Sequence, residues 1–119
     1  MKTITTKELK KIFDVKTEES IIIDVRTKNE HMNNHIPDVL NIPLDEIENH
    51  QESLLHYKAV YLHCHSGGRS NVACNKLFDA GLHNVVNVLG GISDWENNGF
   101  PTIKKEGARS QNKFIFWRT

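Results

Sequence analysis

The chain has 119 residues, 38% hydrophobic and 25% charged, its 15 basic residues balanced by 15 acidic ones. That describes one globular domain with one core, and it excludes a disordered chain. With no apolar run longer than four residues, neither a membrane-spanning helix nor the apolar core of a secretory leader is expected, and a cytoplasmic protein is. Two cysteines with nine residues between them make neither a disulfide framework nor a four-ligand zinc site, and zero net charge points to no nucleic acid or anionic membrane.

Along the chain, Thr5 and Glu8 have capping-box spacing, with Ile4 and Leu9 placed as the hydrophobic staple around them. Leu9, Ile12 and Phe13 give the helix that follows one apolar face. The continuous run Ile21-Ile22-Ile23-Asp24-Val25 predicts a strand buried on both faces of a parallel sheet. Thr27 and Glu30 repeat the capping spacing and open another short helix, stopped by Asn33-Asn34 and Pro37. Val39-Leu40-Asn41-Ile42 is a second strand ended by Pro43, and Asp45 to Leu55 reads as helix in two pieces. A third strand, Ala59-Val60-Tyr61-Leu62-His63, runs directly into Cys64-His65-Ser66-Gly67-Gly68-Arg69-Ser70. The next helix turns Val72, Ala73, Leu77 and Phe78 inward and stops at Gly81. Val85-Val86-Asn87-Val88-Leu89 is a fourth strand, and Gly90-Gly91 turns it into a helix centred on Trp95 and closed by Gly99 and Pro101. This alternation predicts an α/β fold with a mostly parallel β-sheet, in which ligands bind beyond the carboxyl ends of strands, where Cys64 falls.

The domain is expected to span residues 1–103, with residues 104–119 a basic C-terminal extension. From Thr102 onward, Lys104, Lys105, Arg109, Lys113 and Arg118 face Glu106 alone, so the first 101 residues carry −4 against a tail of +4. The late apolar run Phe114-Ile115-Phe116-Trp117 reads either as a final segment docked on the core or as a partner-binding patch.

The segment from Cys64 to Ser70 is the most informative. Gly67 and Gly68 permit backbone angles that other residues resist, so successive N–H groups can turn inward as an anion nest. The helix behind them aims the positive end of its dipole at the same point, a setting that favours a thiolate over a thiol. Two roles are open to Arg69: holding the loop carbonyls through its fork of donors, or facing an oxyanion on a substrate. A small buried apolar residue is the bland reading of Cys64, but it leaves the strand end, the paired glycines, the arginine and the helix start unexplained together.

At these residues the chain resembles the rhodanese family. Ile22-Ile23-Asp24-Val25-Arg26 is similar to that family's first-strand signature. Glu30 with His35-Ile36-Pro37 and Asn41-Ile42-Pro43-Leu44 is similar to its second signature, and Cys64 to Ser70 to its active-site loop. Leu89-Gly90-Gly91-Ile92, then Trp95, Gly99 and Pro101, resembles its C-terminal signature. Four motifs in order over roughly residues 4–103 make the resemblance specific. It implies a parallel sheet with helices on both faces and a cysteine that carries sulfur as a persulfide. The chain departs from the family in having Asn34-His35-Ile36-Pro37-Asp38-Val39 where Gly-His-Ile-Pro-Gly-Ala is usual; Asn and Asp tolerate left-handed turn angles. A second departure is Cys74, where the family usually has a small residue.

The resemblance implies a thiosulfate sulfurtransferase, and the residues make chemical sense of it. Cys64 would take sulfane sulfur from a small anionic donor, thiosulfate or a persulfide, and yield it to a thiol or cyanide acceptor. His65, Ser66, Gly67, Gly68 and Ser70 form the expected anion cradle, and no cofactor is needed. The alternative is a sulfur-relay module working between donor and acceptor proteins. Cysteine-dependent phosphatases place five residues between cysteine and arginine, whereas this chain has four, a cradle shorter by roughly 3.5 Å of contour. No carboxylic acid is identifiable to protonate a phosphatase's leaving group. His63, Cys64 and His65 are consecutive but alternate in direction along a strand, so no metal site is expected from them. His65 reads as lining the loop mouth or as merely exposed, and His63 as packed. Cys74 falls too far along its helix to bridge Cys64 and reads as a buried small residue. Asp24 and Arg26 are expected as framework residues bonding loop backbone near the site, and Trp95 as core.

Overall fold

A computed structural model describes residues 1–105; the apolar run at 114–117 lies outside the described residues. Thr5 caps the first helix as expected, accepting from the Glu8 amide at 3.2 Å while Glu8 accepts from the Thr5 amide at 2.9 Å. The elements run β1 (Lys2–Ile4), α1 (Thr6–Val15), β2 (Ser20–Asp24), α2 (Lys28–Asn33), β3 (Asn34–His35) and β4 (Leu40–Asn41). A 3-10 helix (Leu44–His50) and α3 (Gln51–Leu54) are the two pieces anticipated before β5 (Ala59–His63). Then come α4 (Gly68–Asp79), β6 (Val85–Val88), α5 (Gly91–Asn97) and β7 (Ile103–Lys104).

The central sheet has the order β1-β6-β5-β2-β4, every neighbouring pair parallel. Alternation along the strands sends side chains to two separate cores. Ile23, Val60, Leu62 and Val85 pack with Ala73, Cys74 and Leu77 of α4 and with Ile47 and Leu54. Ile22, Tyr61 and Val88 pack on the other face with Leu9 of α1 and with Ile92 and Trp95 of α5. Helices therefore cover both faces, and α4 ends where Gly81 takes a left-handed φ of 103°, Leu82 N–H reaching Leu77 O at 2.9 Å.

Two features escape local sequence patterns. β1 is three residues long and pairs with β6 far along the chain, adding an edge strand where the sequence shows only the staple residue Ile4. β3 and β7 form a two-stranded antiparallel sheet, with Asn34 opposite Lys104 and His35 opposite Ile103, so regular pairing runs one residue past the expected boundary at 103. The second predicted strand is only Leu40–Asn41. In the turn before it Asp38 takes φ 66°, the left-handed conformation for which an Asp is suited.

Candidate active site

β5 is the middle strand of the sheet, and Cys64 is the first residue past its carboxyl end. From there the chain bends over three residues and enters α4 at Gly68. Gly67 makes this bend possible, since its φ of 117° is a conformation that side chains strain against. The bend brings the Gly67 amide to 3.1 Å from Cys64 Sγ and places the twelve-residue α4 behind the sulfur, positive dipole end forward. Ser70 Oγ lies 3.5 Å from the same sulfur.

Cys64 is 1% exposed, packed on its inner side against the α4-side core. Burial alone would push its pKa up. Hydrogen bonds from the Ser70 hydroxyl and from the Ser70, Gly67 and Ser66 amides outweigh burial and hold the thiol below its ordinary range. Cys74, on the inner face of α4, has burial without donors, and its thiol is pushed up to about 12. Two cysteines, both free, thus have opposite chemistry because only one sits in a ring of N–H groups.

The loop is held from behind by a turn that the sequence reading left out of the site. Ile92 N–H donates to Cys64 O at 2.9 Å and Ser93 N–H to His65 O at 3.0 Å, so the loop carbonyls face α5 and its amides face the sulfur. Gly91 makes this contact possible: at φ 55°, a Cβ there would lie 2.6 Å from His65 O and nearer still to Cys64 O. Gly91→Ala is therefore expected to cost about 1–3 kcal/mol of stability and to raise the Cys64 pKa, since backbone, not a pliable side chain, must yield. Denaturant unfolding with thiol alkylation across pH checks both effects.

Arg69 does not hold the loop carbonyls, the first of the two roles open to it in the sequence; it pairs with a carboxylate on α2. Its Nη1 and Nη2 donate to Glu30 Oε1 and Oε2 of α2 at 2.6 and 2.9 Å. Glu30 also accepts from Thr27 N–H at 3.1 Å, so one carboxylate completes the α2 capping box and grips the loop arginine. The arginine fork and the Thr27 donors hold Glu30 at about 2, below the ordinary carboxylate value. The sign follows from this depression: the pair's stabilisation is present above the ordinary carboxylate pKa and is lost as pH falls toward 2. Because both side chains are more than a third exposed, the contribution is under about 1 kcal/mol. Glu30→Gln should remove that acid-dependent increment, read as a flatter fall of thermal stability below pH 4.5.

Asp24 and Arg26 make a buried pair at the end of β2, with side chains 0% and 3% exposed. They do not bond the cysteine loop. Arg26 Nη2 donates to Asp24 Oδ2 at 2.8 Å and to Asn34 O at 2.6 Å, tying β2 to the turn after α2. His31 Nδ1–H donates to Asp24 Oδ2 at 2.9 Å. Their support is indirect, through the placement of α2 and hence of Glu30. His63 packs as expected, its Nδ1–H donating to Cys64 O at 3.1 Å, and burial holds it below the ordinary imidazole range against the pull of Asp24. By strand alternation its ring lies on the opposite face from Cys64. His65, Ser66 and Gly68 are exposed, forming the outer rim over the sulfur.

A family model described as the rhodanese-like domain matches residues 5–98. A sulfurtransferase of Allochromatium vinosum is 35% identical over 91 residues, covering 76% of this chain and 85% of that protein. A Bacillus subtilis protein named for a sulfur-carrier role is 40% identical over 82 residues, 68% of this chain but 44% of its own length. The crystal structure of a rhodanese-like domain protein from Staphylococcus aureus superposes with a TM-score of 0.70 at 35% identity, over 80% of this chain and 91% of that one. No helix among the described residues is long and apolar enough to cross a membrane.

Proposed function

The chain belongs to the family of rhodanese-like domains, and from that premise we propose that it is a sulfurtransferase carrying sulfane sulfur as a Cys64 persulfide. One observation carries the reading: Cys64 Sγ sits under inward-facing amides at the head of α4, 3.1 Å from the Gly67 N–H. Such a ring favours a sulfur anion over a neutral thiol, and the persulfide is itself an anion.

In the first step the Cys64 thiolate attacks the outer sulfur of the donor. A new S–S bond forms, the donor's own bond to that sulfur breaks, and the leaving group (a thiolate, or sulfite from thiosulfate) departs with the electron pair. In the second, an acceptor thiolate or cyanide attacks the outer sulfur of the persulfide and returns Cys64 as thiolate. There is no net oxidation, and no cofactor enters. Gly67, Ser66 and Ser70 supply the donors, Gly68 opens the helix, and His65 forms part of the rim that the donor meets first. Arg69 holds the loop against α2 through Glu30.

That pairing also favours persulfide donors, including protein persulfides in a relay, over thiosulfate. Arg69 is neutralised by Glu30 and Arg26 by Asp24, so neither offers a dianion an uncompensated charge. The same pairing counts against phosphate-ester hydrolysis, which needs its loop arginine turned to the phosphoryl group.

Intact-protein mass spectrometry after incubation with a low-molecular-weight persulfide, and separately with thiosulfate, tests this. One adduct of about 32 Da on Cys64 is expected, formed faster from the persulfide. No adduct from either donor contradicts the proposal.

A further inference from the structure

We propose that the Asn87 carboxamide is a positioning residue for the Cys64 sulfur, acting through the Ser70 hydroxyl and presenting its acceptor end or its donor end as that sulfur gains or loses a proton.

Asn87 lies on β6 in register with Leu62, and alternation from Val85 turns it toward α4, whose first turn carries Ser70. Ser70 Oγ is 2.6 Å from Asn87 Oδ1, 3.2 Å from Gly67 O and 3.5 Å from Cys64 Sγ. Two acceptors, Asn87 Oδ1 and Gly67 O, face the one proton of the hydroxyl, and the sulfur becomes a third once it is an anion. Ser70 is 0% exposed and Asn87 3%, so solvent does not readily supply the missing donor.

With Oδ1 turned to Ser70, the hydroxyl donates to Asn87 and its lone pair receives the Cys64 S–H; this arrangement suits the thiol. Once the sulfur is an anion it needs the hydroxyl proton for itself. Ser70 can release that proton to the sulfur without losing its partner only if Asn87 presents Nδ2–H in place of Oδ1. The two ends of a carboxamide are nearly the same size, so a half-turn about its last torsion exchanges acceptor for donor without repacking the core. No hydrocarbon side chain of that volume can do this. The other charged or titratable groups around the thiol are Arg69 of α4 with Glu30 of α2, Cys74 of α4, His65 of the loop, His63 of β5, and the Asp24–Arg26 pair at the end of β2. None of them contacts Asn87 by a hydrogen bond among the described residues.

The relay rests on the reading of Cys64 as the sulfur carrier, and it is tested without any sulfur donor so that the two can fail separately. The Asn87 side-chain amide resonances are followed by nitrogen-15 NMR through the Cys64 titration in wild type, Ser70→Ala and Ser70→Thr, with Cys64→Ser as the blank. In wild type both amide protons should shift with the midpoint of the thiol. Ser70→Thr should keep that response, and Ser70→Ala, at a helical position that favours alanine, should reduce it at least about twofold and move the thiol midpoint up by about one unit. Asn87 resonances that stay still in wild type, or that shift as far in Ser70→Ala as in wild type, overturn the relay. Neither result bears on whether the persulfide forms.

Discussion

Cys64→Ser is expected to abolish sulfur transfer, reducing turnover with a persulfide donor to background, a loss of at least about 10³-fold. The substitution keeps the size and the hydrogen-bonding place of the side chain: a hydroxyl can accept from the Gly67 amide where the sulfur does. It removes the chemistry. A serine hydroxyl is not ionised by the same ring of donors, and oxygen does not hold sulfane sulfur as a transferable group. The fold should persist, because the loop is anchored by the Ile92 and Ser93 amides and by the Arg69–Glu30 pair, none of which involves the sulfur. Cys74→Ala is the matched control. Cys74 is buried in the α4-side core with its thiol pushed up to about 12, so its removal should leave transfer intact. Transfer that survives in Cys64→Ser and disappears in Cys74→Ala would reverse the assignment.

Arg26→Ala is expected to cost the most stability, about 3–5 kcal/mol, because it leaves the Asp24 carboxylate buried without its counter-charge. Asp24 is fully buried, and burial alone would raise its pKa; the Arg26 bonds, the nearby His63 and the His31 bond reverse that and keep it low. Without Arg26 the carboxylate must either stay charged with fewer partners or take up a proton on folding. In the second case stability falls as pH rises from the ordinary carboxylate pKa through the raised pKa of the buried group, the opposite of the wild-type trend. The same variant releases Asn34 O and so loosens the turn that follows α2. Transfer should weaken as Glu30 loses its fixed position against Arg69. Removing both charges, as in Asp24→Asn with Arg26→Met, should cost less than Arg26→Ala alone. Urea unfolding of the three proteins measures the difference, and equal losses in the single and double variants would remove the argument.

Much of this was legible in the sequence because it is local. Thr5 with Glu8 and Thr27 with Glu30 are three-residue spacings, and both capping boxes form. The run from Ile21 to Ile23 is apolar on both faces because β2 lies between β5 and β4 with helices above and below. Cys64 to Ser70 contains within seven residues the strand end, the glycine bend and the helix start that make the cradle. What stayed hidden depends on residues distant in sequence. Glu30 is evident as a cap, but nothing local ties it to an arginine 39 residues later. Gly91 signals a turn; that it lets α5 approach the Cys64 carbonyl appears only when β5 and β6 are laid side by side. Asn87 reads as a polar interruption in a valine strand until α4 places Ser70 against it. A buried polar residue facing the helix that follows a reactive cysteine is the signal that could have drawn attention to it.

The measurement that bears most directly on the account is the titration of Cys64 itself, read as the ultraviolet absorbance of the thiolate in wild type minus Cys64→Ser. If the Gly67, Ser66 and Ser70 donors outweigh burial, the midpoint lies below the ordinary thiol value of about 8.5. A midpoint at or above that value would mean that burial dominates, leaving Cys64 an inert core thiol like Cys74.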